Sequence, residues 1–592
     1  MKSNNTWLWL VVAAMLFAFI FLFERHRHLS ATMSANILPQ LQISGVTSVQ
    51  VIPSGALEIS AVRTNNAWRL TKPISYPAQT AAIETLLAAL QKLKPATRIS
   101  ATELRDRNPE TEFGFETPQI SLVVGAGDRR WQLLVGNKTA PGDQVFLRLI
   151  GMDGTFVADA DWLKFIPRSV NDWRDTTLVD AGKNDFDSIV LTNGAKVIEL
   201  HRDLTNHFWR MVRPLQARAD SERITGALQL LQTASVAQFV TDDARADLTA
   251  FGLQSPDLDL WLGHGTNFTA GLHVGKNPTN DPTQVFAKRE GWNAVFTTAK
   301  DPLSPWHDSV NDFRDPHLLE PAAPVAEIEV RGQNNFSLQR QGSNDWRIAG
   351  EKFPADAESV QQFIKLLAGL RVAEFVKDVV TAPDLPVYGL AVPSRQITLR
   401  SAIGDSNAVI AQLSFAAQTN GIFVRRTDED FIYAITAEDF SRLPEAGWEF
   451  RDRRIWNFPE GDVAQITLQQ NGKTRTLIRN GPNKWSLAPG SQGIINPPAI
   501  EETVHRLGEL AAAGWIARGL TEPEKFGFNT NNLQIAVELK TGEKLAVDFG
   551  APISDQTALA AVTLAGERWA FVFPPVLYQF VLNYLTIPTN VP

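Results

Sequence analysis

The sequence contains no cysteine in 592 residues. This absence excludes a disulfide framework, zinc sites with cysteine ligands, iron–sulfur clusters and cysteine nucleophiles. An excess of positive charge is also lacking, because 56 Lys and Arg stand against 64 Asp and Glu, a net charge of −8. Without a positive field to attract phosphate backbones, we expect no nucleic-acid partner. The chain is 44% hydrophobic and 20% charged, which is typical of folded protein. A chain this long is predicted to form about four domains.

An apolar run free of charge occupies residues 7–23 and predicts a transmembrane helix of about 25 Å. Residues 1–6 would then be a cytoplasmic stub, and residues 24–41 a linker. A cleavable signal peptide is the alternative, with Ala31 or Ala35 at the cleavage site. The run is longer than a usual signal core and ends in five polar residues, Glu24 to His28, which favours an uncleaved anchor.

The charges beside this run do not decide its orientation. Lys2 precedes it and Arg25 and Arg27 follow it, so a simple count places the C-terminal side in the cytoplasm. Long domains, however, translocate largely regardless of so small a bias. The absence of cysteine suits an oxidising compartment. We therefore expect a single-pass protein of the cytoplasmic membrane with a periplasmic body.

The rest of the chain repeats itself at a spacing close to 138 residues, found from three independent markers. The first marker is an aromatic-glycine pair, at Phe113-Gly114, Phe251-Gly252, Tyr388-Gly389 and Phe526-Gly527. The second is a tryptophan, at Trp68, Trp209, Trp346 and Trp485. The third is an aromatic-Arg-Asp triplet, which contains Arg174-Asp175, Arg314-Asp315 and Arg451-Asp452. The fourth copy lacks the triplet, as a terminal repeat can.

The same order of elements is predicted in every copy. Two strands lead into a turn with an asparagine, then a third strand with the tryptophan, a helix, the aromatic-glycine turn and further strands. The helix has one apolar stripe, as at Ile83, Leu86, Leu87 and Leu90, so it should pack on the sheet. The fold class is therefore α+β, with four tandem homologous domains of mostly antiparallel meander and a packed helix. The predicted domains are residues 42–180, 181–320, 321–459 and 460–592.

The repeated residues have two possible interpretations, ligand binding and packing. Recurring aromatic rings could form a ligand platform, and the three arginines could bind a carboxylate or phosphate. A residue fixed in every copy is better explained by packing, because each copy must solve the same folding problem. We therefore predict that the tryptophans are structural. The arginines are predicted to pair with a carboxylate or loop carbonyl at the seam between consecutive domains.

No catalytic, metal-binding or cofactor-binding pattern was found. The histidines share no repeat position and form no His-Glu-x-x-His pattern. A Gly-x-Ser-x-Gly elbow and a complete dinucleotide or phosphate loop are also missing. Gly472-Lys473-Thr474 is instead predicted as part of a hairpin turn that begins at Asn471. The histidines stand at positions 26, 28, 201, 207, 264, 273, 307, 317 and 505.

The first copy contains the apolar N-terminal run, Trp68 to Pro73, Phe113-Gly114-Phe115, a strand ending at Gly136 and Trp173-Arg174-Asp175. In these features it resembles a known family of bacterial proteins, the domain-of-unknown-function family 4340. The resemblance is clearest over residues 1–180 and returns more weakly in the later copies. It implies a membrane-anchored bacterial protein, often encoded beside an ABC-type export system of the gliding-motility kind and acting as its accessory part.

The sequence thus predicts a non-enzymatic, membrane-anchored binding or spacing protein for an ABC-type export or envelope assembly. Its protein partners would be components of that complex. Two alternatives from other classes remain open. One is an enzyme acting on envelope polymers through an unrecognised carboxylate pair, which one acid-lined pocket in a single copy would favour. The other is a self-assembling or adhesive protein, which exposed apolar patches recurring in all copies would favour.

Overall fold

The computed structural model describes residues 15, 17, 36–105, 107–179, 185–319, 324–342, 344–403, 406–529, 531–554 and 557–586. They belong to two compact units, the first ending at Arg314 and the second beginning at Asp315. Among these residues, no helix is both long and apolar enough to cross a membrane. The membrane helix predicted at residues 7–23 lies outside the described residues except for Met15 and Phe17. The predicted stub and most of the predicted linker also lie outside them.

In the described part of the chain, the strands form four antiparallel sheets, two in each unit. Each sheet consists of two meanders joined through their first strands, with a helix between them in the sequence. The strand that follows the helix adds to the far edge, beside the last strand of the second meander. This repeated arrangement confirms the predicted antiparallel meanders with α+β content, although β-structure clearly predominates.

The two sheets of the first unit have the same strand order. In the first it is β4-β3-β2-β1-β6-β7-β8-β9-β5, and in the second β13-β12-β11-β10-β15-β16-β17-β18-β14. The first sheet contains β1 Ser48–Pro53, β2 Ile59–Thr64, β3 Ala67–Lys72, β4 Tyr76–Pro77, β5 Thr97–Ile99, β6 Ile120–Ala126, β7 Arg129–Lys138, β8 Gln144–Leu149 and β9 Thr155–Asp159. The second contains β10 Ser188–Asn193, β11 Lys196–Arg202, β12 Trp209–Arg213, β13 Ala217–Arg218, β14 Val236–Thr241, β15 Leu258–His264, β16 Asn267–Val274, β17 Gln284–Arg289 and β18 Val295–Ala299.

The two sheets of the second unit repeat this order without the short edge strand of the first meander. The orders are β21-β20-β19-β23-β24-β25-β26-β22 and β29-β28-β27-β31-β32-β33-β34-β30. The third sheet contains β19 Glu327–Gly332, β20 Phe336–Arg340, β21 Trp346–Ile348, β22 Glu374–Lys377, β23 Arg395–Ile403, β24 Ser406–Gln418, β25 Gly421–Arg426 and β26 Ile432–Ile435. The fourth contains β27 Val463–Gln470, β28 Lys473–Gly481, β29 Lys484–Leu487, β30 Gly514–Arg518, β31 Gln534–Leu539, β32 Lys544–Ser554, β33 Thr557–Leu564 and β34 Glu567–Val572.

One long helix packs on a face of each sheet. In the first helix the buried residues are Ile83, Leu86, Leu87 and Leu90, as the apolar stripe predicted. The side chains of Asp220, Asp356 and Asn496 accept main-chain N–H bonds at the starts of the three later long helices. The described α-helices are α1 Thr80–Lys92, α2 Pro109–Glu112, α3 Ser221–Thr233, α4 Ala357–Gly369, α5 Ala437–Ser441, α6 Pro497–Gly508 and α7 Pro575–Phe580.

Short 3-10 helices surround the sheets, and a π-helical turn, Val581–Leu585, follows α7. In the first three sheets, a 3-10 helix after the last strand ends at the aromatic residue of the aromatic-Arg-Asp triplet. The 3-10 helices are Ile43–Gly45, Asp161–Phe165, Val170–Trp173, Leu248–Phe251, Asp301–His307, Val310–Phe313, Ala382–Asp384, Gly447–Phe450, Glu460–Asp462 and Pro523–Phe526.

The cores extend beyond two of the predicted boundaries. Ile37, Leu38 and Leu41, in the segment predicted as linker, are buried in the core of the first sheet. Leu178 and Val179 precede the predicted boundary at residue 180 but are buried in the core of the second sheet. Ile37 to Leu41 precede the first repeated marker, and Leu178 and Val179 follow the Arg-Asp marker of the first copy, so buried side chains extend beyond the markers on both sides.

Candidate functional site: arginine seams between consecutive sheets

The four repeated tryptophans lie in the strand that follows the asparagine turn. They are 2%, 3%, 4% and 5% exposed in chain order, so none of these rings offers a stacking surface to a ligand. Asn66 and Asn483 have the left-handed φ predicted for the turn. In the second sheet the left-handed residue is His207 instead, and the side chain of Asn206 accepts a hydrogen bond from the N–H of Phe208. This placement is the one that a packing role requires.

The aromatic-glycine pairs form one turn that is built alike in all four sheets. Gly114, Gly252, Gly389 and Gly527 have φ angles of 77°, 72°, 70° and 71°, in the left-handed region that favours glycine. In the first three sheets the preceding ring contacts a phenylalanine on the third strand of the second meander. The ring centroids are 4.4 Å apart for Phe113–Phe146, 5.1 Å for Phe251–Phe286 and 5.1 Å for Tyr388–Phe423, while Phe526 contacts Phe528 at 6.5 Å.

A second set of glycines lies in the sheet where the aromatic-glycine turn packs against it. A Cβ added to Gly136, Gly275 or Gly550 would lie 2.1, 2.2 or 2.5 Å from the carbonyl oxygen of Phe113, Phe251 or Phe526. Of these glycines, Gly136 was predicted above at the end of a strand, with no reason for glycine at that position. The signal that could have found the reason is the nearly equal distance of the three from the glycine of the aromatic-glycine pair, 22 residues in the first sheet and 23 in the second and fourth.

Arg174 lies at the seam between the first and second sheets. Its side chain is 1% exposed, and its Nη1 and Nη2 donate to Asp242 Oδ2 and Oδ1 over 3.0 and 2.7 Å. The guanidinium carbon lies 4.2 Å from the ring centroid of Tyr76 and 3.5 Å from that of Phe239. Tyr76 belongs to β4 and Phe239 to β14, so one buried cation contacts an edge strand of each sheet.

Arg289 of β17 completes the seam. Its Nη1 donates to Asp175 Oδ2 over 3.0 Å, and its Nη2 donates to the carbonyl of Asp175 over 3.1 Å and to the hydroxyl of Tyr76. Two guanidinium groups therefore lie around Tyr76, and two carboxylates, from Asp175 and Asp242, balance their charge. Asp242, Tyr76 and Arg289 were not among the residues that the sequence predicted for this seam.

In the second unit, Arg451 holds the matching place between the third and fourth sheets. Its guanidinium carbon lies 4.4, 4.7 and 5.4 Å from the ring centroids of Trp569, Phe353 and Trp515. The indole N–H of Trp515 donates to the carbonyl of Arg451 over 2.9 Å. Burial and, after it, the nearby Arg518 lower the pKa of Arg451. Arg451 is thus surrounded by three aromatic rings, whereas Arg174 contacts two aromatic rings and a carboxylate.

The carboxylates near Arg451 are bound by Arg518 instead. Arg518 Nη1 lies 2.6 Å from Glu351 Oε1, and its Nε lies 2.9 Å from Glu567 Oε2. The hydrogen bond to Glu567 raises the pKa of Arg518, and the same bond lowers the pKa of Glu567. Each unit therefore combines two arginines, aromatic rings and two carboxylates at its seam, with the ion pairs distributed differently.

The aspartates of the three triplets share one local role. A side-chain oxygen of Asp175, Asp315 or Asp452 accepts the main-chain N–H two residues later, over 3.1, 2.9 and 2.8 Å. This Asx turn fixes the chain as it leaves each sheet. Arg314, 2% exposed, closes the first unit and donates from Nη1 to Asn311 Oδ1 over 3.3 Å.

The fourth sheet, whose sequence lacks the triplet, ends in α7 and the π-helical turn. Arg475, 2% exposed, donates to the carbonyls of Leu585 and Thr586 over 3.2 and 2.7 Å, and to that of Ile494 over 2.9 Å. Burial lowers the pKa of this guanidinium. A buried arginine thus satisfies carbonyls at the end of the described chain.

Several of the described histidines lie beside carboxylates. His273 lies between Asp259 and Glu290, with ring nitrogens 2.5 and 2.7 Å from their carboxylate oxygens, and His505 lies 3.2 Å from Glu460. Among the residues that the structure describes, no group of three or more His, Asp or Glu side chains is arranged to hold a metal ion.

The fold and its seams define a protein of repeated antiparallel sheets, joined within each unit by a buried arginine among aromatic rings. The chain belongs to the family described as Domain of unknown function (DUF4340), whose profile matches residues 68–206, 209–350 and 346–531. No curated protein matches the chain. Two similar solved structures come from Pseudomonas aeruginosa, the DNA polymerase III subunit beta and a DNA polymerase sliding clamp with ligand. Both are 9% identical and overlap 65% of this chain, covering 92% and 91% of their own, with TM-scores of 0.12 and 0.11, too low to indicate a shared fold.

Proposed function

We propose that this protein is a non-enzymatic, membrane-anchored spacing and binding component of an ABC-type export or envelope assembly. Four homologous domains in tandem would follow the apolar N-terminal run, with the body outside the cytoplasm. The observation that carries the proposal is the seam at Arg174, where two consecutive sheets share one buried cation.

A spacer must hold its successive domains in a fixed relation. Moving the second sheet away from the first would take Phe239 and Asp242 from Arg174 and leave a desolvated guanidinium without its ion pair. Breaking such a buried pair is unfavourable by several kcal/mol, of order 3–5 for a fully buried one. The three aromatic rings around Arg451 act in the same way within the second unit.

Duplication of one module accounts for the repeated arrangement. Apart from the short edge strand, the four sheets share one strand order; the tryptophan and the left-handed glycine recur in all four sheets and the arginine in the first three. The family profile also matches three successive stretches of the chain. Because these shared side chains build the module and its seams, we assign them structural roles and no part in catalysis.

Affinity purification of the intact complex from membranes in mild detergent tests the proposal. We expect ABC transporter subunits to co-purify with the tagged chain. Arg174→Met should reduce their yield by loosening the seam, while Arg245→Met, at an exposed position on the loop after β14, should not. Failure of any transporter subunit to be enriched would contradict the proposed partner. A reporter fused after Pro592 tests the topology separately, since cytoplasmic activity would contradict a body outside the cytoplasm.

A further inference from the structure

A polar cavity of about 300 Å³ lies on the fourth sheet, beside the loop that contains Phe526-Gly527. Its volume is at the lower end of those that hold small ligands. Six of its described lining residues carry amide, carboxylate or guanidinium groups. They are Gln469, Asn529, Asn532, Gln534, Asp548 and Arg568.

A neutral ion pair and an amide form the centre of this cavity. Gln534 and Asp548 are neighbours across β31 and β32, and Gln534 Nε2 donates to Asp548 Oδ1. Arg568 Nη2 donates to Asp548 Oδ2 over 2.6 Å, and its guanidinium carbon lies 5.9 Å from the ring centroid of Phe528. Since Asp548 and Arg568 neutralise each other, the cavity presents polar groups without net charge.

Several of these groups keep hydrogen-bonding capacity after their contacts within the described chain are made. Asn532 Nδ2 donates to the carbonyls of Gly527 and Phe549 over 2.6 and 3.1 Å, which orients the amide and leaves Oδ1 for another donor. Asn529 uses Oδ1 to accept from the N–H of Asn531, so its NH₂ remains a donor. Gln534 keeps Oε1, and Arg568 keeps donors on Nη1 and Nε.

We propose that this cavity binds one ring of a saccharide. The ligand must be neutral, small and rich in groups that both donate and accept hydrogen bonds, and the hydroxyls of a sugar meet all three conditions. An extended peptide would instead pair with an edge strand, whereas β31 and β32 lie inside the sheet. Among the described lining residues Asp548 is the one carboxylate, and glycoside hydrolysis ordinarily needs two. The cavity therefore binds a sugar without cleaving it.

The third sheet supplies a matched control. Gln396 and Ser414 occupy the same positions on β23 and β24 that Gln534 and Asp548 occupy on β31 and β32, and Gln396 Nε2 donates to Ser414 Oγ over 3.2 Å. Gln396→Leu and Gln534→Leu are thus the same substitution at equivalent positions. Only Gln534 lines the cavity.

Titration calorimetry of the full-length protein, in a detergent without a sugar headgroup, tests the proposal with glucose and N-acetylglucosamine. Pull-down on cellulose and chitin tests the same rings in a polymer. We expect saturable binding to at least one probe, weakened about tenfold or more by Gln534→Leu and by Asp548→Asn. Gln534→Leu removes the free Oε1, and Asp548→Asn removes the charge that holds the guanidinium of Arg568 in place. Gln396→Leu should bind like the wild type.

Binding of free sugar supports the proposal and indicates a soluble saccharide as the ligand. Binding of the polymer alone also supports it and indicates a sugar ring within a polysaccharide. It is overturned if no probe binds saturably, if Gln534→Leu and Asp548→Asn bind normally, or if Gln396→Leu is equally impaired. Thermal melting checks that each variant is folded. If Gln534→Leu is unfolded, Asp548→Asn decides the outcome.

Discussion

Arg174 and Asp242 are joined by two parallel hydrogen bonds of 3.0 and 2.7 Å, although 68 residues separate them in the sequence. The arginine follows the last strand of the first sheet, and the aspartate follows β14 of the second. This bidentate pair, with rings of Tyr76 and Phe239 against the guanidinium, makes the contact between the two sheets specific in both distance and orientation.

Replacing Arg174 by methionine should destabilise the first unit by about 2–3 kcal/mol, because the pair and both ring contacts are lost. The effect should be smaller than that of a fully buried pair, since the side chain of Asp242 is 38% exposed and can be rehydrated. Urea unfolding, monitored by hydrogen exchange of amides in the first unit, measures this change in the free energy of unfolding. Arg245→Met is the control, and an equal loss in both variants would contradict a specific seam.

The sequence was sufficient to predict the residues that every copy needs for its own folding. Trp68 and its three counterparts are buried, and Gly114 and its counterparts have the left-handed backbone that the aromatic-glycine turn required. Such positions can be read from one chain because the same local constraint recurs four times. The helix stripe from Ile83 to Leu90 follows from periodicity in the same way.

The contacts of the seams could not be predicted in this way. Arg174 pairs with a carboxylate, whereas Arg451, the same residue of the repeat, lies among Phe353, Trp515 and Trp569. The partners come from distant segments, and among the described residues the carboxylate of the first seam has no counterpart on Arg451, which contacts a third ring, Trp569, instead. The strand order within a sheet was also beyond the sequence, because it depends on long-range pairing such as that of β1 with β6.

Gly275→Ala should destabilise the first unit by about 1–3 kcal/mol, because the new Cβ would overlap the carbonyl oxygen of Phe251. Gly226→Ala, in the middle of α3 with nothing within 4 Å of the added Cβ, should instead stabilise it by about 0.5–1 kcal/mol. Denaturant midpoints of the two variants measure the contrast. Equal shifts of both midpoints would refute the docking of the turn on Gly275.

Trp346→Phe and Trp485→Phe should differ although both tryptophans hold the same repeat position. Trp485 Nε1 donates to Glu501 Oε2 over 2.7 Å, whereas Trp346 Nε1 has no partner among the described residues. Losing the bond to a carboxylate should add about 1.5–3 kcal/mol to the lost ring contacts in Trp485→Phe. Thermal melting of the second unit tests this, and a larger effect of Trp346→Phe would contradict it.

The pair of His505 and Glu460 should make the second unit sensitive to pH near neutrality. The hydrogen bond to Glu460 raises the pKa of His505, and the main-chain N–H of Glu460, followed by His505, lowers the pKa of Glu460. A raised histidine pKa contributes stability that is complete below the unfolded value of about 6.5 and is lost as the pH rises through the folded pKa. The lowered carboxyl pKa contributes stability that is lost in acid.

Glu460→Gln removes the charge that stabilises the imidazolium, so the pKa of His505 should fall toward its ordinary value. Histidine proton chemical shifts followed against pH measure the change, and His505→Asn identifies the resonance. If His505 titrates alike with Glu and Gln at position 460, the ion pair does not govern its protonation, and the expected loss of stability above neutrality has another source.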